Sequence, residues 1–412
     1  MSATLCLLAF GAVMVYSASS PQALLAGQGN GTGEFVRYLV FGSLGLVAMY
    51  VLERRGLALV NRRLVNLFLL GSFALLVLVL VPGLGVKING ARRWFAIGGA
   101  QFQPSELMKL ALVLYGARQL ADHPARRRSA GRRGPAARGS RVRGGLTVAV
   151  APVAIAVAPA CLLIVVQPDL GTALVIAFTI TALLTAAGMP LRRLGMLGLI
   201  GATLVILLVL ARPYELARLT SFLHPWAAAN KAGAGFQAVQ GQIALGSGGL
   251  FGVGLGRSVQ KLFYLPEAQT DSILAVIGEE LGVLGIFGVV CLYGMIAYAG
   301  LRTARRAAGP YAKLLATGLT SLILCQGILN IFVVLGLAPL TGVPLPFISY
   351  APTNLCVMLA SVGLLLGIAR PGGARLQAVE APVRERSANR DRRRRDRGTR
   401  RAGAGRRGRA AR

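Results

Sequence analysis

The residues of this sequence that could do chemistry are a few charged and polar side chains at the edges of long apolar runs. The densest group lies at residues 235–282, where a glycine-rich stretch, 246–256, precedes the charged residues Lys261, Glu267, Asp271, Glu279 and Glu280. No Walker lysine motif follows the glycines, so a nucleotide P-loop is not predicted. Asp271 stands where a polar loop meets an apolar run. That position favours a helix N-cap and, at a membrane interface, also allows a functional carboxylate.

The spacing of these acidic residues limits the chemistry they could do together. On one helix Asp271 and Glu279 would be about 12 Å apart along the axis, and Glu280 would lie on nearly the opposite face from Asp271. Such a helix does not supply a close carboxylate pair of the kind that glycosidases use. If Asp271 is catalytic, we therefore expect it to act as a single base. We expect Glu279 and Glu280, which lie deeper, to be structural residues with partners.

A second group begins at Arg93 and Trp94 and continues with Gln103, Glu106 and Lys109. Glu106 and Lys109 are three residues apart, so on a helix they share a face and are predicted to pair. Arg93 could bind a phosphate through two hydrogen bonds, and Trp94 suits a membrane interface. The group is read either as a helix start with an intramembrane ion pair or as a cationic wall for an anionic headgroup.

Two short turns complete the candidate chemistry. In the turn at 167–172, which contains Gln167, Asp169 is predicted to cap the following helix rather than to bind a ligand. The turn at 341–350, which ends in Ser349 and Tyr350, is uncharged and rich in proline. Irregular backbone at membrane depth must line protein or water, so this turn is predicted to be a wall of a site.

These residues are set into a chain built for a membrane. It has 412 residues, 55% of them hydrophobic and only 14% charged, with a mean hydropathy of +0.63. Long uncharged runs near the length that spans a bilayer recur, which predicts an all-α polytopic membrane protein with about ten transmembrane helices. The predicted spans are 3–18, 35–52, 64–83, 105–121, 146–166, 170–187, 194–211, 272–300, 311–336 and 353–369.

The five cysteines give no sign of a metal site or of disulfides. All of them fall within apolar runs, and no two have the spacing of a zinc site or of a CxxC motif. Neither a structural zinc site nor a disulfide framework is therefore predicted.

The positive charge predicts the orientation of the helices. The net charge is +31, and most of the 45 lysines and arginines lie in alternate connections and in the C-terminal segment. By the positive-inside rule these segments and both termini are cytoplasmic. They include a basic linker at about 122–145 and an Arg-rich tail, 370–412, predicted to be disordered and to contact membrane lipids rather than nucleic acid. The outward connections are then 84–103, 337–352 and a large loop at about 212–270.

The motifs occur in the order found in the shape, elongation, division and sporulation (SEDS) family of membrane glycosyltransferases, which the chain resembles. The matching elements are 13–19, Arg92–Trp94, 103–106, 167–172, 235–282 and 339–350. The resemblance extends over about 13–369, so 1–369 is predicted to form the glycosyltransferase domain. The run 254–268 is more similar to the FtsW branch of the family than to the RodA branch.

The resemblance implies an activity and a site. The family polymerises lipid II into glycan strands at the outer face of the bacterial cytoplasmic membrane, here at the division septum. The family's essential aspartate falls on Asp271, the expected base, and its buried lysine falls on Lys109. Arg93, Lys109 and Lys261 are expected to stabilise pyrophosphate, with Mg²⁺ or Mn²⁺ as a candidate cofactor. The residues expected to bind substrate are Arg93, Trp94, Gln103, Glu106, Lys109, Gln167, Asp169, Lys261, Glu267, Ser349 and Tyr350.

The family also implies partners, and the sequence departs from the family at three places. The expected partners are lipid II with the growing strand, a class B penicillin-binding protein that cross-links it, and other divisome proteins. Ser272 replaces the usual phenylalanine, 351–354 replaces a Gly-Gly-Ser-Ser run, and Gln101 replaces an arginine found in some relatives. The alternatives left open are a RodA-like elongation polymerase, a lipid II flippase and a noncatalytic division scaffold.

Overall fold

The computed structural model describes residues 1–27, 30–88, 90–97, 100–122, 138–211, 213–231, 233 and 235–370. Up to Ala369 the chain forms one compact unit. Most of the predicted basic linker and nearly all of the predicted tail, 371–412, lie outside the described residues.

In the described part of the chain, ten helices of 17 or more residues coincide with the ten predicted runs. They are α1 (Ser2–Leu25), α2 (Gly33–Leu59), α3 (Arg62–Leu78), α4 (Pro104–Asp122), α5 (Arg138–Val166), α6 (Leu170–Ala186), α7 (Leu191–Ala211), α11 (Ile273–Arg306), α12 (Pro310–Val334) and α13 (Pro352–Ala369).

Five of these helices, α1, α2, α11, α12 and α13, are long and apolar enough to cross a membrane by length and composition among the residues described. Two shorter apolar stretches, at 150–166 and in α6, accompany them. The polytopic helical fold is therefore confirmed.

The predicted loops hold more regular structure than expected. The segment 212–270, predicted as a connection between membrane spans, contains three further helices that the sequence analysis did not predict: α8 (Pro213–Leu223), α9 (Ala228–Lys231) and α10 (Phe236–Gly248). α10 buries Val239 and Ala244 and packs along α11. The basic linker is predicted at about 122–145, whereas α5 begins at Arg138.

The connection between α3 and α4 folds into a small sheet, which the all-α prediction missed. Its antiparallel strands, in the order β1-β2-β3, are β1 (Val86–Ile88), β2 (Ala91–Ile97) and β3 (Ala100–Phe102). Gly90, with a φ of +82°, turns the chain between β1 and β2. The strands are too short to produce a clear alternating pattern in the sequence, and their effect is to fix Arg93 and Trp94 above the helices.

α4 and α12 form the centre of the bundle. Most of α4 is buried, and it packs against α3, α5, α6, α12 and α13. α12 also contacts α10 and α11. α2 and α7, in contrast, leave many large apolar side chains exposed, as expected of helices that face lipid. The two central helices therefore carry the polar side chains that the bundle must bury.

α11 is interrupted at Gly282, whose backbone (φ 66°, ψ −163°) is not helical. The carbonyl groups of Glu279 and Glu280 accept hydrogen bonds from the amides of Val253 and Gly254. On the other side of the break, the amides of Val283 and Leu284 donate to the carbonyls of Gly249 and Leu250. The loop after α10 thus satisfies the backbone groups that the break exposes, as a membrane interior requires.

Candidate active site

Asp271 lies two residues before α11, and it is not the N-cap of that helix. The N-cap position is Ser272, and no side chain caps the helix there. The Asp271 carboxylate instead accepts hydrogen bonds from Gln237 Nε2 of α10, at 3.3 and 3.2 Å, and its Oδ1 lies 3.4 Å from Thr270 Oγ1. The cap interpretation, which the residues alone favoured, is therefore wrong, and the carboxylate is held by a side chain of α10 instead.

The electrostatic setting makes Asp271 an unusually basic carboxylate. Burial, and next the charge of Glu267, raise its pKa to about 6, while the Gln237 hydrogen bond and the Arg218 guanidinium act in the opposite direction. A general base works best when its pKa lies near the operating pH. As a whole residue, Asp271 is half-buried.

The turn at 341–350 borders Asp271, which agrees with its predicted role as a wall. A Cβ built on Gly342 would lie 3.9 Å from Asp271 Oδ2. Asn330 Nδ2 of α12 donates to the carbonyls of both Asp271 and Val343, at 2.8 Å each. The Tyr350 amide donates to the Gln269 carbonyl at 2.9 Å. Asn330 and Tyr350 thus tie the turn to the segment that carries the aspartate, and Ser349 closes the turn by accepting from the Leu345 amide.

Glu106 and Lys109 form the predicted ion pair, with 2.8 Å between Nζ and Oε2. Both are almost fully buried. Lys109 also donates to Gln326 Oε1 of α12 at 2.6 Å, and Glu106 accepts from Asn354 Nδ2 of α13 at 2.6 Å. A direct substrate contact by Lys109 or Glu106 stays a prediction, and it would require this cluster to open.

Arg93 reaches down from β2 to the turn between α5 and α6. Its Nε donates to the Gln167 carbonyl at 2.7 Å, another guanidinium nitrogen donates to the Pro168 carbonyl, and Asp169 lies 3.9 Å away. Asp169 caps α6 through the Thr172 amide, as predicted, and accepts from Gln103 Nε2 at 3.0 Å. Both Arg93 and Lys109 therefore have their partners within the protein.

Lys261 is buried in the bundle. It is 1% exposed, and its Nζ lies 2.7 Å from Glu280 Oε1 and 3.0 Å from Ser17 Oγ of α1. Glu279 binds Ser258 Oγ and the Val259 amide. The prediction that both glutamates have structural partners is confirmed. In this arrangement the Lys261 ammonium group is buried, so it is not accessible for the expected contact with pyrophosphate.

The structure also gives the burial of the remaining candidates, Trp94 and Glu267, and the contacts of residues that depart from the family pattern. Trp94 is half-buried beside Arg93, and Glu267 is exposed. Ser272 accepts from Gln237 Nε2 at 2.9 Å. Thr353 accepts from the Gln103 amide at 3.1 Å, and Asn354 binds Glu106. The departures at 272 and 351–354 therefore take part in the polar contacts around the site.

Four residues of the site were given no role from the sequence: Gln237, Thr270, Arg218 and Asn330. Gln237 lies within the group at 235–282, but a neutral side chain 34 residues from Asp271 offers no pattern to connect the two. Arg218 donates to the Leu340 carbonyl at 3.3 Å and lines a cleft with Phe222, Gln242 and Gly336. The only sequence signal for a role of Arg218 is its position as an isolated arginine in a predicted outward segment.

The described residues do not form a metal site by themselves. Within the described ranges, no three His, Cys, Asp or Glu side chains gather in a group that could hold a metal ion. Mg²⁺ commonly takes ligands from substrate phosphates and water, so dependence on Mg²⁺ or Mn²⁺ stays a prediction to which no residue is assigned.

The sequence is similar to proteins of one family over most of its length. A family model described as cell cycle protein, of the FtsW, RodA and SpoVE type, matches residues 1–372. Stage V sporulation protein E of Bacillus subtilis is 40% identical over 369 residues, covering 89% of this chain and 95% of the relative. A probable peptidoglycan glycosyltransferase FtsW of Coxiella burnetii is 41% identical over 372 residues, covering 89% and 94%.

Solved structures share the fold. The rod shape determining protein RodA of Thermus thermophilus superposes with a TM-score of 0.59 at 28% identity, covering 89% of this chain and 94% of that one. A chain from a peptidoglycan synthase complex, described as coordinating polymerization and crosslinking, gives a TM-score of 0.64 at 28% identity, covering 89% and 96%.

Proposed function

Because this chain belongs to the FtsW, RodA and SpoVE family of cell cycle proteins, we propose that it is a peptidoglycan glycosyltransferase that joins lipid II units into glycan strands at the outer face of the cytoplasmic membrane. The observation that carries the mechanism is the half-buried Asp271, whose pKa is raised to about 6. Relatives named FtsW at 36–41% identity support a role in septal wall synthesis.

Asp271 acts as the general base in this proposal. It accepts the proton of the GlcNAc 4-hydroxyl of the acceptor while that oxygen forms a bond to the anomeric carbon of the donor. The bond between that carbon and the pyrophosphate breaks, and its electron pair leaves with undecaprenyl pyrophosphate. Gln237 holds the carboxylate, and the turn at 341–350 lies beside it.

The negative charge of the leaving group needs cations, and Arg218 is a cation whose charge acts on Asp271. Arg93 is bonded to two backbone carbonyls, and Lys109 and Lys261 are buried in ion pairs. Arg218 lines a cleft next to α10 and acts on the charge of Asp271. We therefore assign Arg218 to the pyrophosphate, since stabilising developing charge is commonly a large catalytic term. Arg93, which the sequence predicts as a phosphate ligand, is assigned here to ordering the turn before α6 through the Gln167 and Pro168 carbonyls.

We also propose a transpeptidase partner. The solved neighbour belongs to a peptidoglycan synthase complex that coordinates polymerization and crosslinking. Glycan strands made by this chain would need cross-linking, so a class B penicillin-binding protein suits the role, together with other divisome proteins.

The test is a glycan-chain assay with the purified full chain, its cognate class B partner, lipid II and a divalent cation. Asp271→Asn is expected to lower the polymerisation rate by about 10²–10⁴-fold, the usual contribution of a general base. The matched control is Asp122→Asn, the same change at an exposed residue at the end of α4, which is expected to polymerise at the native rate.

The outcomes separate the competing functions. Equal polymer from native and Asp271→Asn protein would remove Asp271 as the base. If neither makes polymer although both fold and bind the partner, the flippase and scaffold functions become the better explanations. A RodA-like elongation role is tested separately, by the position of a fluorescent fusion along the cell wall.

A further inference from the structure

The segment from Glu267 to Ser272 forms a closed turn that places a second carboxylate beside Asp271. The Glu267 carbonyl accepts hydrogen bonds from the amides of Thr270 and Ser272, at 3.1 and 3.2 Å. Glu267 has a φ of +52°, a left-handed conformation that is uncommon for a residue with a side chain. Such outliers are often found at functional sites, and this one folds the turn back on itself.

Thr270 lies between the two carboxylates. Its hydroxyl donates to Glu267 Oε2 at 2.9 Å, and Asp271 Oδ1 lies 3.4 Å from the same oxygen. A hydroxyl carries one hydrogen to donate and can also accept. It can therefore bond to one carboxylate at a time and accept from Asp271 when that group is protonated.

From this geometry we propose that Glu267 is a positioning residue for Asp271, acting through the Thr270 hydroxyl and placing a negative charge next to the base. The inference rests on the proposed function, in which Asp271 removes the proton of the acceptor hydroxyl. It gives Glu267 a role other than the substrate contact expected from the family resemblance.

The charges around this turn agree with the proposal. The Glu267 carboxylate is one of the causes that raise the pKa of Asp271 to about 6. Facing Asp271 from other elements are Gln237 of α10 and Arg218 of α8, which lower that pKa. Facing Glu267 is Glu34 of α2, which Arg37 accompanies and which binds Gln269 Nε2 at 3.5 Å.

The experiment measures the polymerisation rate against pH for the full chain with its class B partner. Glu267→Gln is expected to move the acid limb of the profile to lower pH by about half a unit to one unit, the size expected for removing one neighbouring charge at a partly exposed site. The rate above pH 7 falls about 3- to 10-fold because a weaker base transfers the proton less well. The KM for lipid II stays at the native value.

Two variants test the bridging hydroxyl. Thr270→Val is expected to shift the acid limb in the same direction as Glu267→Gln, because Glu267 without its hydrogen bond turns towards water. Thr270→Ser keeps a hydroxyl and is expected to restore the native profile. A native pH profile for Thr270→Val would show that Glu267 does not act on Asp271 through the Thr270 hydroxyl.

The matched control is Glu34→Gln, which removes one negative charge from the same outer face without a hydroxyl bridge to Asp271. An equal shift for Glu34→Gln would show a general effect of surface charge and would overturn the proposal. A raised KM with an unchanged acid limb in Glu267→Gln would also overturn it, in favour of a substrate contact. Failure of the proposed function is recognised separately, because Asp271→Asn would then polymerise at the native rate.

Discussion

Asp271 combines two properties that oppose each other in a folded protein. Its carboxyl group is placed where burial and Glu267 favour the protonated form, and yet the proposed reaction uses the ionised form. Carboxylates that are buried or placed near like charge commonly have raised pKa values, and such groups gather at active sites. Ionising Asp271 therefore costs free energy in the folded state. This cost lowers the free energy of unfolding, which can be measured.

Asp271→Asn is expected to stabilise the protein at pH 8 while it removes activity. The folded-state pKa of about 6 lies above the ordinary value of 3.8, so the folded protein binds more protons and stability falls as pH rises between those values. The increase in the pKa of Asp271 corresponds to a loss of up to about 3 kcal/mol in the free energy of unfolding. Thermal unfolding in detergent should show a higher melting temperature for the variant at pH 8 and a smaller gain at pH 4–5.

Asp122→Asn supplies the comparison for that measurement. Asp122 pairs with Arg118 at 3.5 Å and is exposed, and surface pairs contribute little to stability. We expect its melting temperature to follow the native protein at both pH values. A native protein that gains stability relative to Asp271→Asn between pH 5 and pH 8 would contradict the assigned environment of Asp271.

At the scale of elements, the interruption of α11 organises the site. Gly282 lies nine residues into the helix, about 13 Å along its axis, and the loop after α10 enters at that depth to bond to the broken backbone. The same loop continues through Lys261, which Glu280 and Ser17 fix in the bundle, and ends at Asp271. The break therefore determines where the loop that carries the aspartate begins.

Gly282→Ala is expected to destabilise the protein and to abolish polymerisation. The φ and ψ of Gly282 belong to a region that only glycine adopts readily. An added Cβ would also collide with the carbonyl oxygen of Leu250 and lie against the amide of Gly252. Combined strain and collision should cost about 2–4 kcal/mol, seen as a lower melting temperature in detergent.

Gly288→Ala is the matched control on the same helix. A Cβ at Gly288 has no neighbour within 4 Å, and alanine favours helix by about 1 kcal/mol over glycine. Its melting temperature should equal or exceed the native value. Equal melting temperatures for the two variants would show that the break at Gly282 is not needed for the fold.

At the scale of the whole molecule, one helix connects the polar clusters. Gln326 of α12 bonds to Lys109 and to the Pro344 carbonyl, and Asn330, one turn later, bonds to the Asp271 and Val343 carbonyls. The turn at 341–350 is thus connected through α12 to both the buried Lys109 cluster and Asp271. Proper placement of Asp271 depends on α4, α12 and α13 together.

Orientation in the membrane is also a property of the whole chain. The basic connections predict that Lys87 of β1 lies outside and Arg302 of α11 lies in the cytoplasm. In a background without the five native cysteines, Lys87→Cys should react with a membrane-impermeant maleimide on intact spheroplasts. Arg302→Cys should react only after lysis. The reverse pattern would place Asp271 on the cytoplasmic side and would exclude polymerisation at the outer face.

Much of the architecture follows from the sequence because the bilayer imposes a simple rule on it. Apolar runs of fixed length must be helices, and all ten predicted runs are helices in the structure. Contacts between residues close in sequence were equally predictable. The Glu106–Lys109 pair and the Asp169 cap depend on spacings of three residues within one helix turn.

Tertiary structure alone decided the partners of the remaining groups. Gln237 reaches Asp271 across 34 residues, Arg93 bonds to backbone carbonyls 74 and 75 residues away, and Lys261 turns inward to Glu280 and Ser17. The short strands of the sheet and the helices within 212–270 were also missed. A polar side chain in a membrane bundle must find a partner, but the sequence does not state which one. That choice depends on how the helices pack, because only packing brings distant segments within hydrogen-bonding distance.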